Sequence, residues 1–479
     1  MAIHERDDEQ SSASTTTDVE KDIEGKHEAA QAAIDAPAPI EDPDIPGPDD
    51  DGGVVEKQMT NKSANPSVNN IKAIPNGGLR AWLQGVINTF GAYQTYYQGG
   101  ILSSSSPSDI SWIGSIQAFL LMLVGALTGP IYDAGYFRAL LMTGSFLVVF
   151  GQMMVSLCHE YWQVLLAQAF CIGIGAGCLF VPSVAILSTY FSTKVATAMG
   201  LAAAGSSLGG VIYPIIFYRL QPRIGFPWAT RVIGFIMLAT LIVSNLVMKV
   251  RVLPAARRKI LDLGAFAEIP YLMFVAGAFV TFMGLYAPFF YVETYAITYH
   301  ITDEAMAFYT LSIINAASVF GRIIPNFIAD KTGPMNIIVP ASTISGILSL
   351  CLIPIRNIGP LMVFCILYGF FSGAMVSLPP TIFVHLSPNR GLIGTRMGMG
   401  FAVISVGLLL GTPICGWILD GSSFTYVWVF GGTLPVIGGL LMAYARVNKG
   451  GLSLLKRSRE PHKRAFQVVC MYFVHAVFL

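Results

Sequence analysis

The chain has 479 residues, of which 54% are hydrophobic and 12% charged, with a mean hydropathy of +0.61. A soluble globular domain carries about 25% charged residues, so that class is excluded, and a net charge of +1 gives no ground for a nucleic-acid partner. The charge is unevenly placed: 17 of the 28 acidic residues precede position 71, so an acidic tail is joined to an apolar body that reads as a polytopic membrane protein.

Residues 1–74 are rich in Asp, Glu, Ser, Thr, Ala and Pro, including IEDPDIPGPDDDGG, and lack apolar periodicity. They are expected to form a disordered cytoplasmic tail, either regulatory or simply solvated. No apolar h-region opens the chain, so the reading includes no cleavable signal peptide. Asn61-Lys62-Ser63 is a glycosylation triplet that matters only if the tail is lumenal.

Apolar segments near the ~20 residues that cross a bilayer then succeed one another. They fall at 111–132, 137–157, 162–189, 196–220, 228–249, 270–297, 305–329, 336–355, 359–386, 397–419 and 425–446. These eleven transmembrane helices are preceded by a short degenerate candidate, Leu79 to Tyr97, which carries Arg80, Gln84, Asn88 and Gln94. The loop 250–269 holds Arg251, Arg257, Arg258 and Lys259, and the positive-inside rule makes it a cytoplasmic linker. Twelve helices put both termini in the cytoplasm, whereas eleven put the N-terminal tail outside. The cysteines lie mostly in apolar runs without CxxC or ligand spacing, and read as packing residues. No metal or other cofactor is expected.

The stretch Tyr190 to Pro214 sets Gly200, Ala204, Leu208 and Val211 at helical steps, flanked by Gly205 and Gly209. Small residues allow one helix to approach another closely, and in lipid close packing drives association. Features of this half recur roughly 200 residues on: Asp133 as Asp330, Gly177 as Gly373, Pro182 as Pro379, Met199-Gly200 as Met399-Gly400 and Pro214 as Pro413. The repeat implies two parallel six-helix halves, 75–249 and 270–446, joined by the linker and followed by a tail at 447–479.

The duplicated halves, with an Asp-containing turn after the second helix of each, resemble the major facilitator superfamily. Pro75-Asn76-Gly77-Gly78-Leu79-Arg80-Ala81-Trp82 and the segment from Tyr190-Phe191 through Gly210 are similar to two signatures of its monocarboxylate-porter-like family, particularly the fungal branch. Relative to that family Leu83-Gln84 runs almost directly into Gly85-Val86, so most of helix 1 is missing. The closing AFQVVCMYFVHAVFL does not align with it. The resemblance implies an all-α major facilitator fold and a secondary transporter of a small-molecule substrate, a monocarboxylate or related organic anion, in the plasma membrane. A co-transported proton is a further implied partner, with the lipid bilayer as solvent. Vitamin and secondary-metabolite carriers occur in the same branch. A transporter-like sensor, or a carrier inactivated by loss of helix 1, remains an alternative.

Candidate site residues follow from alternating access. Asp133 and Asp330 read either as gate carboxylates that engage the neighbouring bundle or as ordinary turn residues. The family has a basic residue after the first Asp, and here it is Ala134. Arg322 lies within the membrane and either grips a carboxylate in the substrate path, or snorkels or pairs with Asp330. Animal members of the family place an acid four positions before the equivalent Arg for proton coupling; this chain has Ser318. Asn315 is placed in the same path or in a helix contact. Pro288 should kink its helix and mark a gate, with Tyr286 lining the path, Tyr291 lining it or lying in an interfacial belt, and Tyr295 in that belt. Glu293 reads as lying near the outer surface, with an intramembrane proton carrier as the alternative. Asn88, with Tyr93 and Gln94, represents helix 1. No HExxH, GxSxG or P-loop supports an enzyme.

Overall fold

The computed structural model describes residues 107–190, 194–248, 261–388 and 392–450. The acidic tail, helix 1 with Asn88, Tyr93 and Gln94, most of the basic linker and the tail beyond Gly450 lie outside the described residues. Every described regular element is helical, as expected where backbone groups have no water to satisfy them.

The chain runs through α1 (Pro107–Asp133), α2 (Phe137–Val155), α3 (Tyr161–Val164), a π-helical segment (Leu165–Ile172) continuing into α4 (Gly173–Tyr190), and α5 (Val195–Val247). A 3₁₀ turn (Leu263–Ala267) leads to α6 (Ile269–Leu285), α7 (Ala287–Thr298), α8 (Glu304–Thr332), α9 (Pro334–Cys351), α10 (Ile358–Ser377), α11 (Pro379–Leu386), α12 (Ile393–Gly421) and α13 (Phe424–Gly450).

Ten stretches among the described residues are long and apolar enough to cross a membrane. One of them, Val195–Leu246, has 52 residues, far more than the ~20 a bilayer needs. Gly225 interrupts it with φ 74° and ψ 167°, a conformation open to a residue without Cβ. Divided there, α5 supplies two spans, and the eleven expected helices are all present. Leu127, Phe146, Ile242, Leu246, Trp417 and Leu440 face outward, the apolar surface a bilayer would solvate.

The duplication is visible in the backbone. Asp133 ends α1 before Gly135 (φ 93°), and Asp330 lies in the last turn of α8 before Gly333 (φ 95°). Cores form within α1–α5 around Phe217, Phe226 and Ile233, and within α6–α13 around Tyr291, Tyr368 and Trp428. The two sets meet along two long helix pairs, α1 with α12 and α5 with α8.

Candidate functional site

The α5–α8 seam has polar contacts from end to end. At the end of the seam where α5 begins and α8 finishes, the Asp330 carboxylate accepts hydrogen bonds from the backbone N–H of Ala196 and of Thr197, each at 2.9 Å, and from the Thr197 hydroxyl at 2.5 Å. These are orphan donors of the first turn of α5, so a side chain of one helix set caps a helix of the other. Asp133 occupies the matching position at the end of α1; its side-chain contacts lie outside the described part of the structure.

Further along, a Cβ built on Gly200 would overlap the carbonyl oxygen of Arg322 and lie 2.7 Å from the Asn326 Cβ. Only hydrogen fits there. Ala204 is buried. Gly205 and Gly209 are half-buried, and Leu208 is 48% exposed. The face turned to α8 runs through Gly200, Ala203, Ser207 and Gly210, with Ala204, Gly205 and Gly209 beside it. A Cβ on Gly210 would lie 2.7 Å from Asn315 Oδ1. Asn315 thus sits in the helix contact, and its amide donates to the Leu311 carbonyl at 3.0 Å.

Between these close approaches lies Arg322, eight residues and so about 12 Å of helix from the Asp330 cap. Its Nη1 donates to the Ala203 carbonyl at 2.7 Å and to the Ser206 hydroxyl, both on α5, while Nε donates to Ser318 Oγ at 3.3 Å. Ser318 also accepts from Ser207 at 3.0 Å. The guanidinium has no carboxylate partner among the described residues, and part of its surface stays accessible. Asp330, committed to α5, does not pair with it. The sequence holds no acidic residue between Glu56 and Asp109, so helix 1 carries none to offer.

Opposite, the membrane helix containing Pro288 breaks at Tyr286, where α6 ends and α7 begins with Pro288 in its first turn. Pro lacks the N–H that a continuous ladder would use, and the break accommodates it. Tyr286 lies within electrostatic reach of Arg322 and packs on Phe289 at 5.5 Å. Tyr291 donates to the Thr412 carbonyl of α12 at 3.0 Å, and the hydroxyls of Ser115 of α1 and Thr412 meet beside it. The two helix sets are thus joined near the outer end of α1. Toward the end of the first span of α5, before Gly225, the Tyr218 ring stacks on Phe308 at 4.6 Å, and Arg219 donates to the Tyr309 hydroxyl at 3.2 Å.

One expectation for the aromatic helix is corrected. Tyr295 is not in an interfacial belt: it is 1% exposed, donates to the carbonyls of Leu352 and Ile355 at 2.9 and 2.7 Å, and accepts from Arg356. Unsatisfied carbonyls at the end of α9 draw the phenol inward. Glu293, five residues before the end of α7, is buried at 7% exposure.

One feature without a local sequence signal is Arg396, at the inner end of α12 and 3% exposed. It forms ion pairs with Asp262 at 2.9 Å and Glu268 at 2.5 Å, and also donates to the Leu386 carbonyl at 3.0 Å. Tyr271 donates to its backbone carbonyl at 2.7 Å. The end of the linker is thereby clasped to α6, α11 and α12.

Two helix sets meeting along paired seams bonded near both ends, with a guanidinium between them that has no carboxylate partner among the described residues, are the arrangement of a membrane carrier. The model described as Major Facilitator Superfamily matches residues 79–393, and the chain belongs to that superfamily. It is 51% identical over 385 residues to the MFS-type transporter dbaD of Emericella nidulans, covering 77% of this chain and 87% of the relative. It is 38% identical over 387 residues to the aspyridones efflux protein apdF of the same organism, covering 78% of this chain and 79% of the relative. Among solved structures, the human organic anion transporter MFSD10 superposes with a TM-score of 0.58 at 14% identity, covering 76% of this chain and 89% of that one; this likeness speaks for the fold. The protein is an integral-membrane MFS-type transporter, and its relatives are not enzymes.

Proposed function

We propose that this transporter moves a small organic anion, a monocarboxylate or a related acid, by alternating access, and that Arg322 seats the carboxylate. One observation carries the reading: a guanidinium partly accessible in the seam, bonded by neutral oxygens and without a carboxylate among the described residues. Such a charge is costly within a membrane unless it serves a polar path or an anion, and guanidinium matches carboxylate with two parallel hydrogen bonds. Tyr286 borders the seat, Tyr291 and the break before Pro288 form part of the outer closure, and Asp330, with Asp133 as its counterpart, holds the inner closure. Asn315 and Asn88 are secondary path residues.

The relative named as an aspyridones efflux protein supports outward movement, and the plasma membrane is the proposed location. Both termini are proposed to be cytoplasmic. Ser318 stands where the monocarboxylate-porter pattern has an acid. Any proton coupling therefore runs elsewhere, and the buried carboxylate of Glu293 is the candidate for it.

The test is transport of labelled monocarboxylates and aromatic acids in vesicles bearing the full chain. Saturable movement that is lost with Arg322→Ala supports the proposal. Saturable movement that survives Arg322→Ala contradicts it.

A further inference from the structure

The side chain proposed to seat the anion is also a tie between the two helix sets. Arg322 belongs to α8, yet Nη1 is spent on α5, on the Ala203 carbonyl and the Ser206 hydroxyl. Ser206 in turn donates to the same Ala203 carbonyl at 2.9 Å, so three groups form a closed triangle across the seam. A second bridge runs beside it, with Ser207 of α5 and Arg322 Nε both donating to Ser318 of α8, at 3.0 and 3.3 Å. Parting α5 from α8 at this depth breaks the charge-assisted bonds of Nη1 and leaves the guanidinium only its contact with Ser318 among the described residues, a costly state away from water.

We propose that this tie is the latch that keeps the empty transporter occluded, and that an anion opens it by taking over the guanidinium. The inference rests on Arg322 being the anion seat and adds what occupancy does. A carboxylate that accepts both Nη groups displaces the α5 acceptors, so Ala203 and Ser206 are released at the moment the site fills. Ser206 is then a positioning residue: it holds Arg322 in the empty state and need not touch the substrate. A ligand of this kind shifts a conformational equilibrium because it competes with a contact present in one state only.

The experiment is single-molecule energy transfer on the full chain in nanodiscs. Dye pairs are attached through genetically encoded click residues at Leu157 and Glu304 for the outer side, and at Tyr136 and Lys331 for the inner side, all exposed positions. Without any ligand, Ser206→Ala is expected to raise the population of open states roughly tenfold, the effect of losing one charge-assisted bond. Arg322→Gln should raise it at least as much, Ser206→Thr should stay near wild type, and the double variant should match Arg322→Gln alone, as coupled residues do. Sodium benzoate should open the wild type and leave Arg322→Gln unmoved, with benzyl alcohol as the neutral control. Unchanged populations in Ser206→Ala, or additive effects in the double variant, would overturn the latch. A shift with Ser206→Ala but no response to benzoate would overturn the anion reading beneath it.

Discussion

The Asp330 carboxylate holds the Thr197 amide at 2.9 Å across the boundary between the two helix sets. A carboxylate at a helix N-terminus is favoured both by the orphan N–H groups and by the macrodipole. Losing an N-cap costs about 0.5–2 kcal/mol, enough to change the balance between two closed ends. Asp330→Ala is expected to expose the inner seam. A cysteine at Thr197 should then react several-fold faster with an impermeant maleimide applied from the cytoplasmic face than it does with Asp330 intact; an equal rate would show that the contact does not gate.

Gly200 sets a steric test. Any Cβ at this position collides with the Arg322 backbone carbonyl, which cannot swing aside as a side-chain tip does. Gly200→Val should therefore hold α5 and α8 apart and abolish transport while the protein still reaches the membrane. Gly359→Ala, where an added Cβ meets nothing within 4 Å, should be far milder. Transport rates normalised to surface expression check the pair.

Ser318 sits one turn from Arg322 and already accepts its Nε–H at 3.3 Å. Ser318→Asp would supply an internal counterion that competes with any substrate anion. With charge-assisted bonds worth about 1.5–3 kcal/mol, the apparent KM for a transported carboxylate should rise by roughly tenfold or more. The same variant should make transport depend on pH, because protonating the new carboxyl frees Arg322.

Arg396 anchors the end of the linker from within α12. Arg396→Gln leaves Asp262 and Glu268 without their cation. Since Asp262 is 22% and Glu268 47% exposed, water shares in their solvation, and the loss should fall below the 3–5 kcal/mol of a fully buried pair. A lowered Tm in detergent, partly restored by Arg396→Lys, is the expected result. Lys keeps the charge and loses the planar fork that engages both carboxylates.

How far the sequence reaches can be seen residue by residue. The spans were legible because lipid demands long apolar runs, and the break before Pro288 was legible because proline removes a backbone donor. Arg322 stood out because charge is rare at that depth. Which face of α5 meets α8 was not legible: small residues lie all around this helix, and one residue is a rotation of about 100°, so the sequence does not single out the face through Ser207 from the one through Leu208. Tyr295 was misplaced because the carbonyls that bury it, Leu352 and Ile355, belong to a helix end distant in sequence. The Arg396 clasp joins residues 128 and 134 positions apart, a pairing that no local pattern announces.

The most direct test of the account compares one substrate in two charge states. In proteoliposomes holding the purified chain, a labelled carboxylate from the transported panel and its neutral primary amide would be measured in parallel, with wild-type protein, Arg322→Lys and Arg322→Ala. The account predicts saturable movement of the carboxylate alone by wild type, a weakened but measurable rate with Lys, which keeps the charge without the fork, and none with Ala. Equal transport of acid and amide, or a carboxylate rate unaffected by Arg322→Ala, would contradict it.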